Sequence, residues 1–362
     1  MKNTFGNSIT LTLFGESHGE AIGAVVDGLA SGIEIDNEYI NNKLSMRRPS
    51  GNISTSRVEK DEFKIVSGVF NGKTTGAPLC VLIPNENTRS GDYSNLVDQP
   101  RPSHADWTAN CKYNGFHDYR GGGHFSGRVT SAIVCACAII QRALEQKGIF
   151  IGSHVYYSNS LKDRNITCVE DVKSLNNADF PVLDKEVCQE MKNMIEQVAK
   201  QGDSVGGILE TVVFGIPAGI GEPWFDTLEG MLSHAIFSVP AVKGVEFGAG
   251  FGFADLKGSE ANDAFALDGG KVVTESNNNG GINGGISNGM PLIIKTAVKP
   301  TPSIYKEQNT LRLSTGEKES LQINGRHDPA IIHRARVVVD AVTALCVADA
   351  LAVKFGTDYL AK

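Results

Sequence analysis

The sequence predicts an α+β fold in a single domain over residues 1–362. Segments with strand periodicity and segments with helical periodicity are interspersed, but they lack the regular strand–helix alternation of a doubly wound sheet. No segment rich in proline or serine divides the chain. Hydrophobic residues make up 41% and charged residues 21%, which is ordinary for a globular protein with one core. This pattern is compatible with an internal pseudo-repeat.

Strands are predicted where apolar and polar residues alternate, or where a short apolar run is bounded by turn residues. These segments are 8–14, 21–28, 63–70, 77–84, 206–217 and 291–299. Apolar residues spaced three or four apart predict helices at 36–46, 127–147, 184–201, 226–238 and 334–353. The last helix is mostly apolar, so we expect it to be largely buried. Long stretches without regular pattern, which are usually functional in a compact chain, lie at 47–57, 85–128, 254–290 and 300–330.

Composition restricts the partners that the protein can have. The formal net charge is −7, so no global positive field would attract nucleic acid or an anionic membrane. The N-terminal residues lack a signal-peptide pattern, and the longest apolar run, 132–140, is too short to span a bilayer. We therefore expect a cytoplasmic protein. The seven cysteines are scattered without a C-x-x-C pair, so we expect neither disulfides nor a metal.

The segment GESHG at residues 15–19 matches the G-x-S-x-G pattern of a hydrolase nucleophile elbow. That elbow follows the fifth strand of its sheet and leads into a helix. Here only one strand can precede the segment, and a strand pattern follows it. We therefore expect a turn between strands that presents Ser17 and His18, with a plain surface turn as the alternative.

Two glycine-rich segments also permit two interpretations. RGGGHFSGRVT at 120–130 has the spacing of a P-loop but lacks its Lys-Ser/Thr, which argues against an ATPase. A glycine-rich loop entering a helix, with Ser126 as its cap and Arg128 beside it, forms an anion site or else a flexible loop. GGINGGISNG at 280–289 fits either close approach to a planar ligand or plain flexibility.

Arginines and histidines concentrate in the irregular stretches, beside glycine, proline and each other. Guanidinium groups bind phosphates and carboxylates in a bidentate manner, so converging loops of this kind predict a pocket for a small, multiply charged anion. His18 and His104 could transfer protons near neutral pH, and Asp328 could serve as a base or an orienting group. The arginines in question are Arg47, Arg48, Arg101, Arg120, Arg128 and Arg326.

An ordered set of motifs covers nearly the whole chain. The set comprises GESHG at 15–19, RRP at 47–49, RPSHAD at 101–106, DYRGGG at 118–123, GEPWFD at 221–226, AVKGVEFGAGF at 241–251, GGINGGISNG at 280–289, KPTPS at 299–303 and GRHDP at 325–329. In order and spacing it resembles the chorismate synthase family from about residue 6 to about residue 350. No single motif is decisive, but the ordered set is very specific.

The resemblance implies the last step of the shikimate pathway. In this reaction 5-enolpyruvylshikimate 3-phosphate loses phosphate and a ring hydrogen in an anti-1,4-elimination that gives chorismate. The substrate carries two carboxylates and a phosphate, which agrees with the arginine-rich loops. The family requires reduced FMN without net redox change, because the flavin lends an electron transiently and accepts the proton at N5.

Residue roles follow from the resemblance by motif position. His18 would protonate the departing phosphate, His104 would protonate the reduced flavin near N1, Asp328 would assist N5 as the base, and Ser17 would orient groups. The residues that would hold substrate anions are Arg47, Arg48, Arg120, Arg128 and Arg326. The flavin site would comprise His124, Phe125, Ser126, Pro240, Ala241, Gly284, Lys299, Pro300, Thr301, Pro302, Ser303 and Arg326.

The resemblance further implies a β-α-β sandwich, with helices packed between antiparallel sheets, and a homotetramer. The chain has no obvious extra segment for NADPH, so reduced FMN would come from an external flavin reductase with NADPH as the indirect reductant. HFSGR and RPSHAD differ from R-S-S-A-R and RPGHAD, which are commoner in the family. These differences affect the predicted contacts to the FMN phosphate and to NADPH, and not the elimination chemistry. The alternatives are a flavin-dependent NADPH oxidoreductase and a non-catalytic anion-binding protein.

Overall fold

A computed structural model of the chain describes residues 2–49, 53–54, 60–86, 98–323 and 328–361. In these ranges the helices are α1 (Asn37–Arg47), α2 (Asp106–Lys112), α3 (Thr130–Gln146), α4 (Val169–Asn176), α5 (Lys185–Lys200), α6 (Leu228–Ser238), α7 (Gly258–Ala261) and α8 (Ile332–Phe355). The longer strands are β2 (Thr10–Gly15), β3 (Ala21–Asp27), β4 (Lys64–Ser67), β7 (Leu79–Pro84), β8 (Phe150–Ser158), β10 (Gly207–Phe214), β11 (Val242–Phe247) and β16 (Leu292–Val298). The shorter strands are β1 (Thr4–Phe5), β5 (Val69–Phe70), β6 (Lys73–Thr74), β9 (Leu161–Lys162), β12 (Phe265–Asp268), β13 (Lys271–Thr274), β14 (Ile282–Asn283), β15 (Ile286–Ser287), β17 (Gln308–Leu311) and β18 (Lys318–Leu321).

Two five-stranded antiparallel sheets form the outer layers. The first has the strand order β1-β2-β3-β7-β4, and the second has the order β11-β16-β10-β8-β9. Between them, α3 packs on β3 and β7 of the first sheet, while α8 packs on β8 and β10 of the second sheet and on α3. The α+β class and the sandwich of helices between antiparallel sheets are therefore confirmed. The internal pseudo-repeat and the single domain stay predictions.

The two central helices are buried on nearly every side. Small residues of α3 (TSAIVCACAIIQRALEQ) let it approach α8 closely, and most of the side chains of both helices belong to the core. Residues 127–146 are long and apolar enough to cross a membrane, yet 89% of that window is buried inside the fold. Packing between the two sheets accounts for its apolar character.

The predicted helices are found within three residues of their predicted ends, partly because their start signals are local. Asp36, Asp184 and Thr227 each accept a hydrogen bond from a backbone N–H in the first turn of the following helix. The predicted strand at 63–70 is split in two. Gly68 separates the parts with a φ of +85°, and a Cβ there would lie 2.6 Å from Leu79 Cα.

The sequence prediction missed several elements. β8 and β11 were not predicted, and neither was α4. The stretches 254–290 and 300–330 are not wholly irregular either, since they contain the hairpins β12–β13, β14–β15 and β17–β18. The turn Asp268-Gly269-Gly270-Lys271 is a hairpin signal that the prediction overlooked.

Candidate active site

A cavity of about 890 Å³ lies where the ends of several helices meet. It is lined by the C-terminal parts of α1 and α6 and by the N-terminal parts of α3 and α8, together with β1, β2 and several loops. Its volume is in the range of small-molecule sites. The fold therefore brings segments from both halves of the chain to one concave surface.

Most of the predicted site residues line this cavity. They come from segments far apart in sequence, which supports the expectation that the irregular loops converge. The predicted residues in the lining are Arg47, Arg48, His104, His124, Phe125, Ser126, Arg128, Pro240, Ala241, Lys299, Thr301, Pro302, Ser303 and Asp328.

In the turn between β2 and β3, Ser17 and His18 are buried beside the cavity, while Glu16 is exposed. Ser17 is 0% exposed and His18 is 8% exposed. The Ser17 backbone N–H donates to the Gly123 carbonyl at 3.1 Å, and His124 Nδ1 donates to the Gly15 carbonyl at 2.7 Å. These two hydrogen bonds join GESHG to the glycine-rich segment, so the two motifs form one substructure.

The three glycines Gly121, Gly122 and Gly123 bring the two predicted catalytic histidines to one place. All three have positive φ. A Cβ on Gly121 would lie 2.6 Å from His18 Nε2, and a Cβ on Gly122 would lie 3.5 Å from His104 Cε1. The imidazoles therefore lie against neighbouring residues of the same short backbone segment. Only glycine at position 121 leaves room for His18, whereas a Cβ at position 122 would make an ordinary contact with His104, and it is the positive φ that favours glycine there.

His104 belongs to a buried network with two residues of its own motif. Its Nδ1 is 2.6 Å from Asp106 Oδ1, and Arg101 donates from Nε and Nη2 to the same carboxylate at 2.8 Å and 2.7 Å. Arg101 Nη2 is also 3.0 Å from Nδ1. Because the carboxylate only accepts, we assign the Nδ1 proton to the bond with Asp106, which leaves the Cε1–Nε2 edge towards Gly122.

Asp106 stays ionised in this network. Burial opposes its ionisation, but hydrogen bonds from Arg101 and His104 outweigh burial and hold the pKa of Asp106 well below its usual range. An ionised partner favours a proton on Nδ1 of His104 and fixes the orientation of the ring. Asp106 belongs to the RPSHAD motif, but the sequence alone predicts no role for it.

Arg47, Arg48 and Arg128, which we call the arginine cluster, surround a carboxylate that the sequence prediction did not single out. Asp61 Oδ2 accepts from Arg47 Nη2 at 3.0 Å, Asp61 Oδ1 accepts from Arg128 Nη1, and Arg48 Nε lies 3.9 Å from Oδ2. The Asp61 side chain is 0% exposed. Burial opposes ionisation, but Arg47 and Arg128 lower the pKa of Asp61 below its usual value.

Arg128 is more engaged with the protein than the sequence indicated. Its Nε donates to Asn85 Oδ1 at 3.0 Å and its Nη2 donates to the Pro84 carbonyl at 3.1 Å, in addition to the bond with Asp61. Ser126 accepts from the Arg128 backbone N–H at 3.3 Å, as the capping prediction requires. The guanidinium is therefore anchored to the end of β7 and to Asp61.

Asp328 pairs with Arg334, a cavity-lining residue that the prediction missed. Arg334 Nη2 donates to Asp328 Oδ2, and Arg334 Nη1 donates to the Arg47 carbonyl at 3.3 Å. Arg334 lies in the first turns of α8, so it links the predicted base to the arginine cluster. Arg326 lies outside the described residues.

Several buried polar atoms around the cavity have no hydrogen-bond partner among the described residues. Native proteins rarely leave such groups unsatisfied, so these atoms are positions where a ligand or an ordered water can bind. Guanidinium Nε donors suit carboxylate and phosphate oxygens, and a threonine or serine hydroxyl suits either a donor or an acceptor. The atoms are Arg47 Nε, Arg48 Nε, Arg334 Nε, Thr301 Oγ1 and Ser17 Oγ.

Six of the predicted residues that the structure describes are outside the cavity lining: Arg101, Arg120, Gly284, Pro300 and, in the turn beside the cavity, Ser17 and His18. Arg120 Nε and Nη2 donate to Asp118 Oδ1 and Oδ2, each at 2.8 Å, so the guanidinium of Arg120 is engaged with this carboxylate. Gly284 lies in the β14–β15 hairpin, next to Gly285, whose carbonyl accepts from Leu228 at the first residue of α6. The cavity is lined by the opposite end of α6. Pro300 lies between two lining residues.

Lys299 connects two of the predicted motifs. Its Nζ donates to the Ser103 carbonyl at 2.5 Å, which joins KPTPS to RPSHAD. Partial burial lowers the pKa of Lys299, and the neighbouring Lys243 lowers it further. Both lysines line the cavity, so they add positive charge to the wall that the arginine cluster begins.

Comparisons with known proteins agree with this geometry. A family model described as chorismate synthase matches residues 9–352. Chorismate synthase from Thermococcus kodakarensis is 44% identical over 346 residues, covering 96% of each chain. Chorismate synthase from Dehalococcoides mccartyi is 44% identical over 357 residues, covering 98% of each chain. A crystal structure of chorismate synthase matches with a TM-score of 0.75 at 27% identity, covering 97% of this chain and 94% of that one.

Proposed function

The chain belongs to the chorismate synthase family of lyases, and we propose that it converts 5-enolpyruvylshikimate 3-phosphate to chorismate by anti-1,4-elimination of phosphate, with reduced FMN in the same cavity. One observation carries the proposal. Three arginines that line the cavity, Arg47, Arg48 and Arg334, each have a buried Nε without a hydrogen-bond partner among the described residues, and the same cavity receives the segment against which His18 and His104 pack. Anion binding and proton transfer therefore meet at one place.

The substrate anions would bind to arginines with free donor capacity. Arg47, Arg48 and Arg334 each have an Nε without a partner, and the substrate offers two carboxylates and a phosphate. Negative charge builds up on the phosphate as it leaves, so fixed cations stabilise the transition state more than the ground state. Arg128 would act by holding Asp61 and the loop in place, and Arg120 and Arg326 stay predictions as anion-binding residues.

The flavin would lie against the wall made by three of the predicted segments. Thr301 Oγ1 is buried without a partner, and the half-exposed Phe125 ring offers an apolar contact. The group would supply a transient electron and accept the ring proton, which side chains alone do not do for so weak an acid. The residues that would hold it are His124, Phe125, Ser126, Pro240, Ala241, Lys299, Thr301, Pro302 and Ser303, with Pro300 and Gly284 as predictions without a cavity contact.

His18 would hold the proton for the leaving phosphate, and His104 would hold a proton at Nε2 towards the flavin. The hydrogen bond between Asp106 and Nδ1 keeps the His104 ring oriented. Ser17 Oγ is buried beside His18 without a partner, so it can orient a bound group by a hydrogen bond. Asp328, held by Arg334, is placed to accept a proton at the cavity wall.

Single replacements of the two histidines test these roles. We expect His18→Ala and His104→Ala each to lower kcat by about 10²–10⁴-fold, the usual contribution of a positioned acid or base, while flavin and substrate still bind. Stopped-flow turnover and equilibrium flavin binding measure the two effects. His117→Ala, outside the cavity lining, is the control. Wild-type turnover in both site variants would contradict the assignment, and complete inactivity of Ser17→Ala would favour a hydrolase.

We also propose that reduced FMN comes from an external flavin reductase, with NADPH as its indirect reductant, and that the enzyme works in the cytoplasm. Purified protein with FMN and NADPH alone should then show no sustained turnover, and adding a reductase should restore it. Sustained turnover without a reductase would contradict the proposal. The alternative NADPH oxidoreductase is not favoured.

A homotetramer is proposed on the family resemblance and is supported by exposed aromatic side chains. Trp224 is 84% exposed, Phe225 96% and Phe251 85%. Such residues are typical of surfaces that another protein chain covers. Size-exclusion chromatography with light scattering tests this point, because a monomer at micromolar concentration would contradict it.

A further inference from the structure

The carboxylate of Asp61 occupies the middle of the arginine cluster. Its two oxygens are divided between two guanidinium groups, with Oδ2 accepting from Arg47 at 3.0 Å and Oδ1 accepting from Arg128. The side chain is fully buried and lines the cavity. This position between cationic groups is where an anionic group of a ligand would be expected.

The local charges do not balance. Three guanidinium groups share one carboxylate, and Arg47 Nε and Arg48 Nε have no hydrogen-bond partner among the described residues. Arg128, in contrast, has all of its donating nitrogens directed to Asn85, Pro84 and Asp61. A ligand would therefore bind Arg47 and Arg48, and it would share them with Asp61.

We propose that Asp61 is a built-in counter-anion, which competes with the anionic groups of the ligand for Arg47 and Arg48 and so limits how tightly the cavity binds phosphate or carboxylate. The inference rests on the anion site of the proposed function and names a residue that regulates its affinity. Arg128 keeps Asp61 in place while the ligand is bound. This arrangement lets the leaving phosphate depart, because its binding site already contains a competing negative charge.

Coulomb repulsion gives the size of the effect. Two negative charges about 5 Å apart in a protein environment with an effective dielectric constant near 20 repel strongly enough to weaken binding at least tenfold. Asp61→Asn removes this charge with almost no change of shape. Asp61 has a φ of 54°, a conformation that aspartate and asparagine tolerate better than most residues, so the backbone is retained.

The test measures inorganic phosphate binding by titration calorimetry at low ionic strength, without flavin or organic substrate. We expect Asp61→Asn to bind phosphate at least tenfold more tightly than the wild type. Asp171→Asn is the matched control, because Asp171 also bonds bidentately to an arginine, Arg164, at 2.6 Å and 3.0 Å, but lies outside the cavity lining. It should bind phosphate as the wild type does.

Equal or weaker phosphate binding by Asp61→Asn would overturn the proposal and leave Asp61 as a residue that only holds the arginines. If Asp61→Asn is unfolded in chloride buffer, its circular dichroism spectrum is measured again in phosphate buffer of equal ionic strength to test the proposal. Recovery of the folded spectrum supports the counter-anion, since phosphate then replaces the lost charge, and no recovery overturns it. The result is independent of catalysis, so an inactive wild type would contradict the proposed function alone.

Discussion

Ser103 has a φ of 59°, in the left-handed region that residues with a Cβ rarely adopt. The conformation directs its carbonyl to Lys299 Nζ, at the cavity wall. The family resemblance identified this position as one where glycine is commoner than serine. The backbone gives the physical reason, because glycine adopts this conformation without steric cost.

Ser103→Gly should therefore stabilise the protein. Relief of the left-handed strain is worth about 1–2 kcal/mol, and the extra freedom of glycine in the unfolded chain offsets about half of it, so we expect a gain of about 0.5–1 kcal/mol in the free energy of unfolding. Urea denaturation measures the change. Ser45→Gly, on the exposed face of α1, should lose about 0.5–1 kcal/mol instead. A loss at Ser103 equal to that at Ser45 would contradict the strain argument.

Single residues were predictable where their neighbours in sequence are unusual. His18 and His104 stand among glycine, proline and serine, and the structure places both at the cavity or beside it. Asp61 and Arg334 have ordinary neighbours, and each gains part of its importance from a partner far along the chain. Asp61 bonds to a residue 67 positions away, and Arg334 to one 287 positions away.

At the scale of elements, the backbone geometry of the glycine-rich segment favours a fixed conformation over a flexible loop. Gly123 combines a φ of 53° with a ψ of −128°, which only glycine adopts readily. Its carbonyl accepts from Ser17, so the segment sets the position of the GESHG turn. The resemblance to a P-loop was therefore a consequence of glycine content, and the glycines serve packing against the histidines.

Gly123→Ala should disrupt this segment. The new Cβ would lie 1.9 Å from the Asp118 carbonyl oxygen, so the backbone must shift. We expect a loss of more than about 2 kcal/mol in the free energy of unfolding, together with a large loss of turnover. Thermal denaturation and turnover assays measure both. Gly127→Ala, where a Cβ meets nothing within 4 Å, should keep its stability within about 0.5 kcal/mol. Equal stability of the two variants would argue against a fixed segment.

The five longest of the described helices were predictable from sequence, whereas β8 was not. Its polar residues Ser153 and His154 interrupt the apolar pattern, but both are fully buried and satisfied by distant partners. Ser153 bonds to Asp340 on α8, and His154 bonds to Asp163 and Glu210. Burial opposes a charge on His154, but these two carboxylates raise its pKa above the usual value. Because the partners of these buried polar residues are brought near only by the tertiary fold, the sequence of β8 shows no periodic pattern that predicts a strand.

At the scale of the whole molecule, the sandwich determines where the site lies. α3 packs mainly on the first sheet and α8 on the second, and the ends of α1, α3, α6 and α8 meet at one end of the helical layer. The cationic side chains gather there although the chain has a net charge of −7. The positive potential is therefore local to the cavity, which suits a small anion and not a polyanion.

The most direct test of the central claim is a turnover assay in the absence of oxygen. Purified protein, dithionite-reduced FMN and 5-enolpyruvylshikimate 3-phosphate are mixed, and phosphate release is followed together with product absorbance and the flavin spectrum. The account predicts equal amounts of phosphate and chorismate over many turnovers, with the flavin still reduced at the end. Oxidation of one flavin for each substrate consumed, or no phosphate release at all, would contradict it.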